Sequence, residues 1–181
     1  MILNDGLLSF ISLKTLCIHQ DYDGHFPKYE WIPCSLRTLE LGSCPFLMLF
    51  PPYQNLSALR ELRIWNCKDF THLPGIQMME FLEKFEIILC PQFMLSPVQR
   101  LPSKLQYLLI YNCPKLMWLP GLQQLPSLKD LKLYECCELM LLPPEQLPFM
   151  HQVQLEKVFT ISLGPLKIYS PISKLFKFSC Y

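Results

Sequence analysis

Apolar residues recur along this chain at fixed offsets with a period of 23 residues. Residues 105–116 read LQYLLIYNCPKL. With Leu105 as origin, the apolar positions are Leu105, Leu108, Ile110, Cys113 and Leu116, at offsets 0, +3, +5, +8 and +11. One period earlier stand Leu82, Phe85, Ile87, Cys90 and Phe93, then Leu59, Leu62, Ile64, Cys67 and Phe70, then Leu36, Leu39, Leu41, Cys44 and Leu47. One period later stand Leu128, Leu131, Leu133, Cys136 and Leu139. A further copy begins at Leu13, Leu16 and Ile18, with Asp21 at the cysteine offset. Offsets +3 and +5 alternate with polar or variable residues, as in Leu39-Glu40-Leu41, and a period of two marks a short strand with one buried face. Strands separated by a whole repeat must run the same way, so each pairs with the one before in a parallel sheet. The handedness rule for parallel crossovers makes the winding right-handed.

The chain between strands reads as non-helical. Pro51, Pro52, Pro74, Pro97, Pro102, Pro143, Pro144 and Pro148 fall in these return segments, and proline fixes φ and removes a donor. Single helical turns are the most they allow. Residues 77–83, without proline, have the most helical character. A period of 23 lies within the range of a leucine-rich repeat. The expected fold is therefore an α/β-type right-handed leucine-rich repeat solenoid, with a parallel sheet on the concave face and a mostly non-helical, proline-rich convex side. Residues 1–12 read as a ragged N-terminal cap and 13–161 as the array of about seven repeats. Within it the copy at Met150, Val153, Leu155, Val158 and Ile161 is displaced by 22 instead of 23. Residues 162–181 read as a degenerate repeat or tail.

Composition sharpens this picture mainly by exclusion. Hydrophobic residues make up 51% of the chain and mean hydropathy is +0.21, which would suit either membrane spans or a repeated core. A span needs about 20 consecutive apolar residues, whereas residues 46–50 are among the longest runs here. The opening Met-Ile-Leu-Asn-Asp-Gly lacks the basic region of a secretory leader. A net charge of +1 with interleaved signs leaves no electrostatic footprint for nucleic acid or an anionic membrane. Nine cysteines without a leader are expected to be reduced thiols in the cytoplasm. Five share the +8 offset, where they read as a buried stack of small apolar groups. There is no CxxC and no Cys/His cluster of zinc-ligand spacing, while Cys137, one residue past the buried offset, is a candidate exposed thiol. His19, His25, His72 and His151 fall at unrelated offsets, and no cofactor, metal or enzyme motif emerges.

The motif LxxLxLxxCPxLxxLP, complete at residues 105–120 and partial at 128–143, resembles the leucine-rich repeat region of plant nucleotide-binding leucine-rich-repeat disease-resistance proteins. That resemblance implies a recognition module of an intracellular immune receptor. Its partner would be a pathogen effector, a host protein or the receptor's own switch domain. It also implies that cysteine fills, at +8, a slot where such repeats commonly carry asparagine. The chain contains no GxxxxGK[ST] loop, so ATP binding by that route is excluded for it. The alternative is the substrate-binding array of a ubiquitin-ligase adaptor, which the 23-residue period and the proline-rich returns disfavour. A secreted ectodomain would call for asparagine at the turn and cysteine-paired caps.

Recognition by such an array would use the strand positions that alternate with the core, at +2, +4, +6 and +7. The +6 column reads His19, Gly42, Trp65, Ile88, Tyr111, Tyr134, and the +4 column Cys17, Glu40, Arg63, Glu86, Leu109, Lys132. Trp, Tyr and Arg dominate interface energetics, so Arg63, Trp65, Tyr107, Tyr111, Lys132 and Tyr134 are the candidate partner-binding residues. Cross-strand stacking that merely stabilises the sheet is the competing role for the aromatics. If +8 is buried, Cys90→Asp is expected to unfold the array locally, because an unpaired buried charge is costly. An unchanged thermal melt would refute the burial.

Overall fold

The computed structural model describes residues 12–19, 33–44, 56–140 and 152–156. The expected first cap, the tail at 162–181, the return at 20–32 and the prolines at 51, 52, 143, 144 and 148 lie outside the described residues.

Seven five-residue strands form the structure: β1 (Thr15–His19), β2 (Thr38–Gly42), β3 (Glu61–Trp65), β4 (Lys84–Ile88), β5 (Tyr107–Tyr111), β6 (Asp130–Tyr134) and β7 (Gln152–Glu156). They make one parallel sheet in simple sequence order. From β1 to β6 each residue is in register with the residue 23 further on, as Leu39↔Leu62 and Ile87↔Ile110. Between β6 and β7 the step falls to 22, with Leu131↔Val153 and Leu133↔Leu155. The sequence period and the strand register are thus the same quantity. The result is a β-solenoid with almost no helix.

The inward residues build a single continuous core. Leu39, Leu41, Leu62, Ile64, Phe85, Ile87, Leu108, Ile110, Leu131 and Leu133 are all buried. On the return the spacing of buried residues changes from two to three. Cys67, Phe70, Leu73, Ile76, Met79 and Leu82 are buried in succession, and so are Cys113, Leu116, Leu119, Leu122, Leu125 and Leu128. Many of these triplets close with an i→i+3 turn, as where Phe70 N–H donates to Cys67 O at 3.3 Å and Leu128 N–H to Leu125 O at 3.4 Å. Three residues per turn keeps one side chain in three directed inward. Phe70 and Phe93, at the same offset in adjacent coils, stack with centroids 5.4 Å apart and planes inclined by 6°.

Two single 3-10 turns are described in full, Ile76–Met78 and Leu122–Gln124. The first overlaps only the start of the stretch expected to be most helical, 77–83, and does not continue to residue 83. The second forms despite Pro120 and Pro126 on either side. Both follow a glycine at one repeat offset, Gly75 with φ 73° and Gly121 with φ 75°. The left-handed conformation that glycine adopts freely starts the turn, and the flanking proline does not prevent it.

A second left-handed column closes β2 to β6. At +7, Ser43, Asn66, Leu89, Asn112 and Glu135 have φ between 51° and 55°. This bend turns the chain inward and points the +7 N–H at the next coil. Ser43 donates to Trp65 O, Asn66 to Ile88 O, Leu89 to Tyr111 O and Asn112 to Tyr134 O, at 2.8–2.9 Å. Asn66 Nδ2 also donates to Ser43 Oγ at 2.9 Å, joining two of these bends side by side.

The cysteine column follows directly. Cys44, Cys67, Cys90, Cys113 and Cys136 are essentially unexposed. Each Sγ sits 3.3–3.6 Å from the +6 carbonyl of its own coil. Four of them also face the +5 carbonyl of the preceding coil at 3.9–4.0 Å. Cysteine therefore does weakly what a stronger donor would do in this slot: it offers a hydrogen to carbonyls turned inward at the bend. Burial pushes the Cys113 thiol up to about 12 and the Cys136 thiol up to about 11. Within the Cys44–Cys67–Cys90 run the neighbouring thiols draw Cys67 down and push Cys44 and Cys90 up. Glu86 is the only buried charged residue among those described. No interior cation is therefore present among the described residues to hold a thiolate.

A residue with a Cβ pays about 1–2 kcal/mol in the left-handed region, where glycine, and to a lesser degree asparagine, is tolerated. Leu89 is 40% exposed and contributes little packing. Leu89→Asn, which places at this bend the residue found at Asn66 and Asn112, is expected to raise stability by about 0.5–1 kcal/mol. The midpoint of urea unfolding measures it, and a lower midpoint would show that the leucine side chain outweighs the bend.

Candidate functional site: the outward face of the sheet

Positions +2, +4 and +6 of each strand point away from the core, and parallel pairing sets them in three straight rows. The +2 row runs Thr38, Glu61, Lys84, Tyr107, Asp130, and +4 runs Glu40, Arg63, Glu86, Leu109, Lys132. Row +6 runs Gly42, Trp65, Ile88, Tyr111, Tyr134. Equivalent residues of neighbouring strands lie about 4.8 Å apart, so side chains along a row touch.

Two of these positions, expected to be exposed, are not. Glu86 is only 7% exposed, and Gly42 is buried. Glu86 is covered because two cations close over it: Arg63 Nε lies 3.2 Å from Oε2 and Lys84 Nζ lies 3.2 Å from Oε1. A buried carboxylate is tolerable when both oxygens are paired in this way. Opposite charges across strands, Glu40–Arg63–Glu86, are the pattern that stabilises a sheet face, and that alternation was readable in the +4 column.

Gly42 is buried because Trp65 lies flat on it. A Cβ built at Gly42 would fall 2.3 Å from Trp65 Cε2 and 2.4 Å from Cζ2. The indole crosses the glycine and reaches β1, where it meets the His19 ring edge-on, centroids 4.6 Å apart and planes at 69°. Arg63 caps the same ring, with its Cζ 5.2 Å from the centroid. The missing side chain at one coil is thus the seat for the largest side chain of the next, skipping a whole strand.

Further along the sheet, Tyr107 on β5 is approached from both sides. Lys84 Nζ from β4 lies 5.5 Å from the ring centroid, and Lys132 Nζ from β6 lies 5.3 Å from it. Tyr111 and Tyr134 pair edge-on at 6.4 Å and 67°. All six candidates therefore join in two groups. His19, Trp65, Arg63, Glu86, Lys84, Tyr107 and Lys132 form one unbroken chain of contacts across β1 to β6. Tyr111 and Tyr134 form a separate pair in the +6 row. Of the six, Arg63 is exposed and the other five are half-buried. The cross-strand stacking weighed as the competing role is realised in these contacts, and it leaves each ring partly open to solvent.

A shallow recess lies on the same face, lined by Thr38, Glu40, Glu61, Arg63, Lys84 and Glu86. No group of three His, Cys, Asp or Glu among the described residues is arranged to hold a metal ion. All eight described cysteines are free thiols, with Cys17, Cys34 and Cys137 exposed. No helix among the described residues is long and apolar enough to cross a membrane. Comparison of the chain with protein-family models, with curated proteins and with solved structures gives no match.

Gly42→Ala is expected to cost about 1–3 kcal/mol, the range for an overpacked contact, and the cost should largely vanish in a Trp65→Ala background. Equal costs in both backgrounds, measured by urea unfolding as a double-mutant cycle, would show that the indole is not seated on the glycine.

Proposed function

We propose that this chain is a protein-recognition module of the leucine-rich repeat type, resembling the repeat region of plant nucleotide-binding leucine-rich-repeat disease-resistance proteins. In this reading the solenoid winds right-handed, the outward face of the sheet is its concave face, and a protein partner binds there. The chain works inside the cell as part of, or alongside, an immune receptor. The partner is a pathogen effector, a host protein or that receptor's switch domain.

One observation carries the reading. Four aromatic side chains, Trp65, Tyr107, Tyr111 and Tyr134, occupy one face of one sheet, each held in place by a neighbour yet not fully buried. Rigid aromatics beside cations are the side chains that anchor protein interfaces. Holding them before the partner arrives lowers the entropy lost on binding. The constant 23-residue register with 3-10 turns in place of full helices supports the repeat class. It weighs against the longer, helix-bearing repeats of ubiquitin-ligase adaptors. The right-handed winding follows from the general rule for parallel crossovers. Unpaired thiols are in keeping with a reducing compartment.

The test uses Tyr111→Ala combined with Tyr134→Ala, which removes the paired rings without touching the core. Partner protein captured from plant cytosol by the unmodified array is expected to be lost with the double variant, while circular dichroism and the melting temperature stay close to the parent's. Undiminished capture overturns the reading. Lost capture with a lower melting temperature assigns the tyrosines to stability alone.

A further inference from the structure

Strand β1 differs from the strands that follow it in what its side chains touch and in where its backbone points. Leu39 and Leu41 on β2 are 0% exposed. Leu16 and Ile18 hold the same offsets on β1 but are only partly buried against the core. Thr15, Cys17 and His19 alternate with them and are exposed. The backbone at +2, +4 and +6 of each coil faces the coil before it. Thr38 N–H donates to Lys14 O and Glu61 N–H to Arg37 O, each at 2.9 Å, while Trp65 O accepts from Ser43 N–H at 2.9 Å. In a parallel ladder the N–H and C=O of one residue turn to the same neighbour, and successive residues turn to opposite ones. On β1 these positions are Thr15, Cys17 and His19. Strand β1 is first in the sheet order, and β2 is its partner among the described residues. The N–H and C=O groups of these three residues therefore face the edge of the sheet. Sheet edges are commonly blunted by lysine, proline, an inward charge or a bulge. The strand TLCIH contains no Lys, Pro or acidic residue, and its register with β2 runs without a bulge.

We infer that this edge is a self-association surface, on which a second copy of the chain pairs its own β1 antiparallel about Cys17. The sheet and the core then run through both copies. The strand is self-complementary in that arrangement. A two-fold axis at Cys17 sets Cys17 opposite its equivalent, Leu16 opposite Ile18 of the second copy, and Thr15 opposite His19. Directly opposed residues of an antiparallel pair lie on one face, so apolar meets apolar on the core side and polar meets polar on the outward side. Opposed residues that face one another exchange both hydrogen bonds. The pairs Thr15–His19, Cys17–Cys17 and His19–Thr15 therefore use every N–H and C=O that these residues turn to the edge. Leu16 and Ile18 gain the cover that Leu39 and Leu41 already have. Pairing of this kind closes at two copies, whereas stacking β1 on the β7 end of another copy would leave a free end and continue to grow.

The whole chain is examined by analytical ultracentrifugation over a concentration series under reducing conditions. The mass is expected to rise from that of one chain to that of two and stop there. Cys17→Ser keeps the backbone donor and should leave the dimer intact. Cys17→Pro removes a donor that faces the edge and not β2, a place where a strand tolerates proline, and should hold the chain monomeric with its melting temperature close to the parent's. Ile18→Lys is the second variant: it sets a charge in the shared apolar seam and should also dissociate the dimer. Opposed residues of a hydrogen-bonded pair lie about 5.5 Å apart between Cα atoms, within disulfide range. Diamide takes up two electrons and two protons as one S–S bond forms, and it should therefore join two copies through Cys17, a product absent from Cys17→Ser although Cys34 and Cys137 are also exposed. A chain that stays monomeric at every concentration overturns the inference. So does a dimer that survives both Cys17→Pro and Ile18→Lys, which places the interface elsewhere. Species that keep growing beyond two copies overturn the two-fold pairing in favour of end-to-end stacking.

Discussion

Each coil of this protein can satisfy its backbone only through the coil beside it, and the bend at the end of each strand is where that requirement is hardest to meet. The strand proper is easy: five residues donate and accept in register with their neighbours. At +7 the chain must leave the sheet, turn inward and still find an acceptor. A left-handed residue solves this by aiming its N–H at the +6 carbonyl of the next coil, as Asn66 does to Ile88 O at 2.8 Å. The same carbonyl also receives the thiol of its own coil's cysteine, Cys90 to Ile88 O at 3.4 Å. Both lone pairs of the carbonyl are used, one between coils and one within. The small size of cysteine follows from this arrangement. A larger side chain at +8 would push the bend away from the neighbouring strand, and a charged one would meet an interior without a counter-ion.

Fixing that bend fixes the strand register, and the register aligns the outward rows. Because every strand is displaced by a whole coil with no slip from β1 to β6, unlike residues twenty-three apart become lateral neighbours. That is how Arg63 comes to lie beside Glu86, and Lys84 beside Tyr107. A slip of one residue would turn every outward side chain into the core, so the buried columns and the surface rows specify one another.

Much of this was legible in the sequence because it depends only on spacing. The strands, their parallel order, the 22-residue step before β7 and the burial of Leu108, Ile110 and Cys113 all follow from counting apolar offsets. What spacing could not show depends on size and direction. The left-handed bends hold Ser43, Asn66, Leu89, Asn112 and Glu135, a set with no common composition. Only two of its members favour that conformation, so the column was invisible as a motif. The burial of Gly42 requires knowing that Trp65 lies along the sheet and does not stand up from it. Glu86 is buried by the long arms of Arg63 and Lys84, not by its own position. The single turn at Leu122–Gln124 was hidden by the prolines around it, though the Pro-Gly-apolar-Gln pattern it shares with Ile76–Met78 was there to find.

These details change what the outward face can do. Read as a column of residue types, Trp65 and Tyr111 look equivalent, as do Arg63 and Lys132. In the folded sheet they divide. Trp65 is seated on Gly42, edged by His19 and capped by Arg63, and Arg63 is held by Glu86, so the β1–β4 half spends its strongest groups on itself. Displacing them would cost a partner the contacts they already make. At β5 and β6 the tyrosines contact one another or a lysine by their faces and edges and keep part of each ring open. The lysine there has no described carboxylate. An interface gains most from groups that are already held in position but not yet satisfied, because such groups lose little freedom on binding and give up no existing bond. By that criterion the proposed recognition surface narrows from a six-strand face to its β4–β6 end, where the rings are held yet stay partly open.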